Sequence, residues 1–314
     1  MIDFIGKKQW FFLGSAIMII VMIVSLAVFK LQPGIDFTGG TSMTINFTPQ
    51  VELSESSQIQ SELRQEMAAL GHPEAIIQFR ENSRDFFVRM KFISPEEKDE
   101  LEHNLNASFQ RDVAISTTLE VSPTIAGTTV RDAGVAVIIA AVAMLIYIAW
   151  AFRRMPSPFR WGTCAIIALM HDVLIVLGVF AILGQVANVE VNALFITAIL
   201  TIVGYSINNC VVVFDRVREN KTKGISPDFA VTVNSSLIET LARCLNTSLT
   251  TLLVILALLL FGGTTIHYFV LALFIGVLVG TYTALFIAGP LLVVWEKGEW
   301  KQMFPWPSSP KKAA

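Results

Sequence analysis

Two charged side chains, Asp172 and Arg243, fall inside long apolar stretches of the sequence. A charge at membrane depth costs about 3 kcal/mol, so such residues are candidates for ion handling. His171 precedes the aspartate, and an imidazole beside a carboxylate can exchange protons near neutral pH. The alternative is a buried hydrogen-bonded pair that only locks helix packing. Arg243 requires an anion or several carbonyl oxygens, unless its side chain extends to the membrane surface.

Hydroxyl and amide side chains recur at helical spacing in the same stretches. The rows are Thr197, Thr201, Tyr205 and Asn208 with adjacent Asn209, and Arg243, Asn246, Thr247, Thr250 and Thr251. Residues three or four apart share one helix face, so we expect the two polar faces to meet inside a bundle. They either hold helices together through hydrogen bonds or line a path for ions, and the spacing leaves both open.

The remaining motifs indicate helix packing rather than catalysis. Gly276 and Gly280 form a small-residue pair that predicts close packing of the last apolar stretch. The sequence has no phosphate-binding glycine loop, no metal-ligand spacing of Cys and His, and no paired nucleophile and base. We therefore expect no enzyme activity, no catalytic residue, no cofactor and no metal site.

The elements that must position these side chains are membrane helices. Of the 314 residues, 54% are hydrophobic and only 15% are charged, which excludes an ordinary soluble enzyme and a nucleic-acid binder. Six apolar runs are long enough to cross about 30 Å of hydrocarbon as helices. The predicted spans are Phe11–Phe29, Ala133–Phe152, Gly162–Leu183, Val191–Phe214, Thr240–Phe261 and Tyr268–Val294.

The distribution of Lys and Arg predicts the orientation. These residues cluster before the first span, in 153–160, in 216–223 and from 297 onward, whereas the short loops 184–190 and 262–267 have none. Positive loops stay in the cytoplasm, so both termini are predicted there. No small-residue cleavage site follows the first span, which we expect to be a retained anchor. The predicted regions are 1–29 (N-terminus and first span), 30–132 (outside domain), 133–295 (spans two to six) and 296–314 (cytoplasmic tail).

The outside segment is acidic and large enough for one domain. It carries 16 of the 25 acidic residues against nine Lys and Arg, a net charge of −7. Its periodicities predict a strand-helix-strand-strand-helix-strand order with a turn at Asn82–Ser83, which is typical of ferredoxin-like α+β folds. The elements are Thr41–Phe47, Ser56–Leu70, Ala75–Arg80, Asp85–Phe92, Pro95–Phe109 and Val113–Val121.

Several segments resemble the SecF branch of the SecD/SecF family. They are Gly34–Thr41, Gly204–Asn208, Phe214–Asn220, Ala242–Thr251 and Gly276–Pro290. A single outside domain of about 100 residues favours SecF over the related SecD. The family signature residues are Gly34, Asp36, Phe37, Gly39, Gly40, Asp215, Arg216, Arg218, Glu219 and Asn220.

The resemblance implies a membrane bundle of six transmembrane helices, one half of the resistance-nodulation-division type, with a ferredoxin-like extracytoplasmic domain after the first helix. It implies a subunit of the Sec preprotein translocase in the bacterial inner membrane. Its partners would be SecD, the SecYEG channel, often YajC, and the translocating unfolded polypeptide. The energy source would be the proton-motive force.

One position departs from the family pattern. The resemblance implies an Asp after Asn208, but the sequence has Asn209, whose amide has no titratable proton near neutral pH. A proton path would then use Asp172 or a carboxylate of SecD that also neutralises Arg243. Alternatively, Asn208, Asn209 and hydroxyls such as those of Tyr205 and Thr247 coordinate sodium, which the charge of Arg243 opposes.

Two further hypotheses assign the chain a different role. In one, it is a structural scaffold of the Sec complex with no transport of its own. In the other, it is half of a small-molecule or lipid exporter of the same superfamily. Six spans and one small outside domain count against an exporter, because such exporters carry larger outside domains.

Overall fold

A computed structural model describes residues 3–80, 83–109, 111–153, 155 and 157–299. Asn82 of the predicted turn and most of the predicted tail, from residue 300 onward, lie outside these residues. The chain divides into two compact units, of which Pro33–Val135 is one and the remainder of the chain is the other. Each unit has its own core.

The first unit contains a four-stranded antiparallel sheet in the order β3-β4-β2-β5. Helices α3 and α4 connect strands that are not adjacent in the sheet, and this order confirms the predicted ferredoxin-like fold. Short elements β1 (Gln32–Pro33) and α2 (Ile35–Thr38) precede the sheet. The other bounds are β2 Gly40–Thr48, α3 Ser56–Ala69, β3 Ile76–Arg80, β4 Asp85–Met90, α4 Pro95–Ser108 and β5 Asp112–Val121.

The core of this unit follows from strand alternation. Met43, Ile45 and Phe47 on β2 are buried, and Leu63 of α3 and Leu105 of α4 are fully buried in the same cluster. Side chains two apart on a strand share one face, so alternate residues of β2 meet the helices. The period-2 pattern of the sequence therefore identified the core face.

Side-chain amides bind the backbone at both edges of the sheet. Gln60 on α3 donates from Nε2 to the carbonyl of Ile77 on β3, at 2.6 Å. Asn106 on α4 donates to the carbonyl of Val113 on β5, at 2.7 Å, and accepts from its N–H, at 2.8 Å. Because β3 and β5 are the outer strands, these backbone groups point away from the sheet.

Among the described residues, six helical stretches are long and apolar enough to cross a membrane, as the sequence predicts. Their helices extend beyond the predicted spans, because backbone hydrogen bonding continues past the apolar core. Asp228 caps the N-terminus of α8, and Gly224, in the left-handed region, ends α7. The bounds are α1 Lys8–Phe29, α5 Pro123–Ala151, α6 Pro158–Ala187, β6 Glu190–Val191, α7 Ala193–Lys223, α8 Phe229–Phe261, a 3-10 turn Thr264–Ile266, α9 His267–Thr283 and α10 Gly289–Lys297.

The last membrane span is not one regular α-helix, although the sequence predicts an uninterrupted run. A π-helical segment, Ala284–Ala288, separates α9 from α10. Pro290 has no backbone N–H, so the carbonyl of Phe286 cannot accept the usual helical bond. Loss of that bond is a local reason for the helix to widen at this point.

The interior of the bundle consists of α6, α7 and the last span. Half or more of the most apolar stretch of each is buried, at 50%, 50% and 61%, against 11%, 6% and 17% for α1, α5 and α8. At the end of this interior that is predicted to face the cytoplasm, the rings of Phe152, Trp161 and Phe214 contact one another. Polar groups that face this interior from α6, α7 and the last span are therefore held in protein rather than in lipid.

Candidate functional site: a buried polar cluster and an exposed polar face

A cluster of four polar side chains lies near the middle of three membrane spans, namely α6, α7 and the last span, where Thr283 ends α9. Oδ1 of Asp172 lies 3.2 Å from Nδ1 of His171, and Ser206 donates a hydrogen bond to Oδ2. Oγ1 of Thr283 lies 3.1 Å from the same Nδ1. Asp172 and Thr283 have no exposed surface, and His171 is 3% exposed. The structure thus forms the His171–Asp172 pair that the sequence suggests and surrounds it with hydroxyls.

Two buried nitrogen atoms adjoin this region without a partner. Among the described residues, Nε2 of His171 and Nδ2 of Asn209 are the buried side-chain atoms that make no hydrogen bond. Asn209 is 2% exposed and lies one helical turn beyond Ser206 on α7. A buried polar group without a partner costs about 1–3 kcal/mol, so each of these atoms requires an explanation.

The small residues of α9 allow it to approach the cluster. A Cβ atom added at Gly280 would lie 3.3 Å from Cβ of Ser206 and 3.4 Å from Oδ2 of Asp172. At Gly276 it would lie 2.3 Å from the side chain of Ile202. The two glycines therefore let the backbone of α9 pack directly on α7.

The two predicted polar rows do not bury each other, so the expectation that they meet inside the bundle is wrong for this chain. Thr197, Thr201 and Asn208 on α7 are exposed. Along α8 the same holds for Arg243, Asn246, Thr247 and Thr250. We call these seven residues the exposed polar face. Helical periodicity assigns residues to one face but carries no information on what covers that face.

Where α7 and α8 contact, the polar groups pair locally. Tyr205 donates to Oγ of Ser248 at 2.9 Å, and Thr281 of α9 donates to the same atom at 2.7 Å. Thr247 and Thr250 instead donate to carbonyls of their own helix, those of Arg243 and Asn246, at 3.0 Å each. The threonine hydroxyls thus bind their own backbone, as hydroxyls in apolar helices often do.

Arg243 forms none of the ion pairs found between described residues. The buried Asp172 bonds to His171 and Ser206 instead. Helix α7 therefore separates two polar regions. Tyr205 is partly exposed and bonds Ser248 of α8, whereas Ser206 bonds Asp172 in the buried cluster.

The signature residues at the end of α7 form a network of charges with α8. Arg216 pairs with Glu219, at 2.6 Å, and with Glu239 of α8. Asn220 donates to Ser236 at 2.9 Å and to Glu239 at 3.1 Å. Within the same run, Arg218 pairs with Asp215. Sequence reasoning missed Glu239, because a single Glu near the Lys- and Arg-rich ends of the helices has no distinctive pattern.

The Gly34–Gly40 segment adopts a turn that requires its glycines. Gly34 precedes the single turn α2, which contains Asp36 and Phe37. Gly39 and Gly40 follow with φ of +70° and +133°, a region that side chains disfavour. A Cβ atom at Gly40 would lie 2.5 Å from the carbonyl oxygen of Met90. The motif therefore begins β2 through a backbone path that only glycine fits well.

Family models match most of the chain. Residues 101–298 match "Protein export membrane protein SecD/SecF, C-terminal", and residues 24–51 match the "SecD/SecF GG Motif". The fold and these matches define a multi-pass membrane protein of the protein-export class.

Relatives of known name agree with this class. Protein translocase subunit SecF of Thermobaculum terrenum is 42% identical over 97% of both chains, and that of Anaerolinea thermophila is 38% identical over the full length of both. The crystal structure of SecDF from Thermus thermophilus superposes with a TM-score of 0.79 at 35% identity. The superposition covers 94% of this chain and 39% of the SecDF chain. The chain therefore belongs to the SecD/SecF family and is similar to SecF along its whole length, as the resemblance implies.

Proposed function

We propose that this chain acts with SecD in the bacterial inner membrane to promote protein export by the Sec machinery, using the proton gradient. Both termini lie in the cytoplasm and the ferredoxin-like domain lies outside, where it meets the translocating polypeptide. SecYEG and YajC are the further partners. The names of the relatives support a role in Sec-associated protein export.

The observation that carries the proposal is the exposed polar face, in which Arg243 forms no ion pair with any described residue. A guanidinium and two amides at membrane depth are costly in lipid, so a protein partner must cover them. The partner needs a carboxylate at membrane depth to neutralise the arginine. A SecDF of Thermus thermophilus, of which this chain covers 34%, has ample additional length for such a partner region in one polypeptide.

A sodium site made by the two consecutive amides is not favoured by the geometry. Asn208 is exposed, whereas Asn209 is buried on another side of α7. A hard cation needs several oxygen ligands that converge on one point, which these two side chains do not provide. Asn209 also has no proton to carry, so the gradient must act through carboxylates elsewhere.

The test compares Arg243→Ala with Arg153→Ala, an exposed arginine whose guanidinium lies over Trp150. Arg243→Ala is expected to weaken SecD capture by about tenfold or more, because it leaves the partner's charge unpaired. It is also expected to abolish gradient-dependent export of a secreted protein into inverted membrane vesicles. Arg153→Ala should match the parent in both measurements. Parental behaviour of Arg243→Ala in both would overturn the proposal, and loss of SecD capture with unchanged dependence on the gradient would favour the scaffold.

A further inference from the structure

The hydrogen bonds of His171 determine where its ring proton lies. Thr283 donates its hydroxyl hydrogen to the carbonyl of Val279, at 3.0 Å, so its oxygen is free to accept. The second neighbour of Nδ1 is the carboxylate of Asp172, which is also an acceptor. Two acceptors face one nitrogen, and Nδ1 therefore carries the hydrogen.

It follows that Nε2 of neutral His171 has a free lone pair. This atom is buried and has no hydrogen-bond partner among the described residues. A ring with Nδ1–H directed at a carboxylate and a free, basic Nε2 is arranged to take a proton on one side and deliver it on the other. A purely structural histidine would be expected to have both nitrogens bonded.

We infer that Asp172 is an internal proton-binding residue of this chain and that His171 relays protons to it. A hydronium ion gives a proton to the lone pair of Nε2, which leaves a water molecule and forms an imidazolium. The Nδ1–H bond then breaks and a bond from that hydrogen to Oδ1 of Asp172 forms. The products are a carboxylic acid and a neutral imidazole that keeps its new proton on Nε2, so charge and atoms balance.

This site is separate from the Arg243 face. Ser206 bonds Asp172 on the inner side of α7, while Arg243 is exposed on α8. Among the described residues, the titratable groups that interact with Asp172 are His171 and the buried thiol of Cys210 on α7. The α9 residues next to this pair are Gly280 and Thr283, which do not titrate. The inference rests on the proposed use of a proton gradient, for which it supplies the carboxylate that position 209 lacks.

The first test observes the proton directly. Infrared difference spectra of the full chain with SecD, reconstituted in lipid, should show a protonated carboxylic C=O band whose intensity changes with pH. Asp172→Asn keeps the size of the side chain and removes the carboxyl group that binds the proton, so the band should vanish. A pH-dependent spectrum identical to that of the parent would overturn the inference.

A second pair of variants tests the role of His171 without removing the carboxylate. Thr283→Val removes the acceptor of Nδ1–H, and Thr281→Val removes a buried hydroxyl that bonds Ser248 instead. Thr283→Val and His171→Gln should move the midpoint of the band, while Thr281→Val should leave it in place. Equal effects of the two threonine variants would contradict the relay.

Vesicle export separates the two proposals. Asp172→Asn should lose gradient-dependent export and still capture SecD like the parent, whereas Arg243→Ala should lose SecD capture. If parental vesicles show no dependence on the gradient, the proposed function fails, while the infrared band still reports on Asp172. If dependence is present and Asp172→Asn retains it in full, the inference about Asp172 fails alone.

Discussion

At the scale of single residues, Glu55 and Arg111 form a doubly hydrogen-bonded ion pair in the ferredoxin-like unit. The guanidinium donates two hydrogen bonds to the carboxylate, at 2.8 Å each, and the N–H of Glu52 donates a third. The bonds from Arg111 are the largest cause that lowers the pKa of Glu55 from its ordinary value of 4.5 to about 2. The carboxylate is thus held in its charged form.

This pair predicts a titration that is easily checked. Arg111→Gln should raise the pKa of Glu55 toward 4.5, without reaching it because the Glu52 bond remains. Carbon-13 NMR of the labelled carboxyl group in the full chain would measure the shift. Arg64→Gln, on an exposed arginine of α3, is the control and should change nothing.

The sign of the pH effect follows from the lowered pKa. The contribution of Glu55 to domain stability is fully present above its unfolded pKa and declines as the pH falls from about 4.5 toward about 2. Arg111→Gln should therefore destabilise the domain at neutral pH and make little difference in strong acid. Because the pair is partly solvated, the effect is small.

Residue types alone revealed part of the candidate site. Asp172 and Arg243 could be identified because charges are rare in apolar runs. Their surroundings could not, since Ser206 and Thr283 are hydroxyls of a kind found throughout membrane helices. The relevant signal is spatial, namely which hydroxyl of α7 or α9 reaches the carboxylate on α6.

At the scale of elements, the contact between α7 and α9 depends on Gly276. A methyl group there would overlap the buried side chain of Ile202, so Gly276→Ala should destabilise the bundle by about 1–3 kcal/mol. Gly204→Ala is the matched control, because nothing lies within 4 Å of a Cβ at that position.

Unfolding by detergent titration would compare these variants. Ile202→Ala combined with Gly276→Ala should recover part of the lost stability relative to the sum of the single changes, because the two substitutions share one space. An unchanged unfolding midpoint in Gly276→Ala would show that α9 does not pack as closely on α7 as the structure indicates.

The six membrane helices and the order of strands and helices in the ferredoxin-like unit were predictable, but the helix ends and the short elements β1, α2 and β6 were not. Hydropathy shows which part of a helix lies in lipid. Helices α7 and α8 continue beyond that apolar part through stretches with charged residues such as Arg216 and Glu239. The π-helical segment before Pro290 was also missed, because a proline near the end of an apolar run has several structural outcomes.

At the scale of the whole molecule, the predicted orientation can be tested with single cysteines. The native Cys164, Cys210 and Cys244 are all buried, so they should react slowly. In intact cells, a membrane-impermeant maleimide should label Ser57→Cys, at an exposed position of α3. It should not label Thr222→Cys near the end of α7. The reverse labelling pattern would mean that the predicted orientation is wrong. In permeabilised cells, both introduced cysteines should be labelled.

The amide groups at the sheet edges have a consequence for the proposed contact of this domain with the translocating polypeptide. Any extended polypeptide can join a bare sheet edge, and repeated joining leads to aggregates. Gln60 and Asn106 already occupy the backbone groups of Ile77 and Val113. An extended chain would have to break those bonds before it could pair with the sheet at Ile77 or Val113, so the proposed contact with the polypeptide does not favour strand addition at these positions.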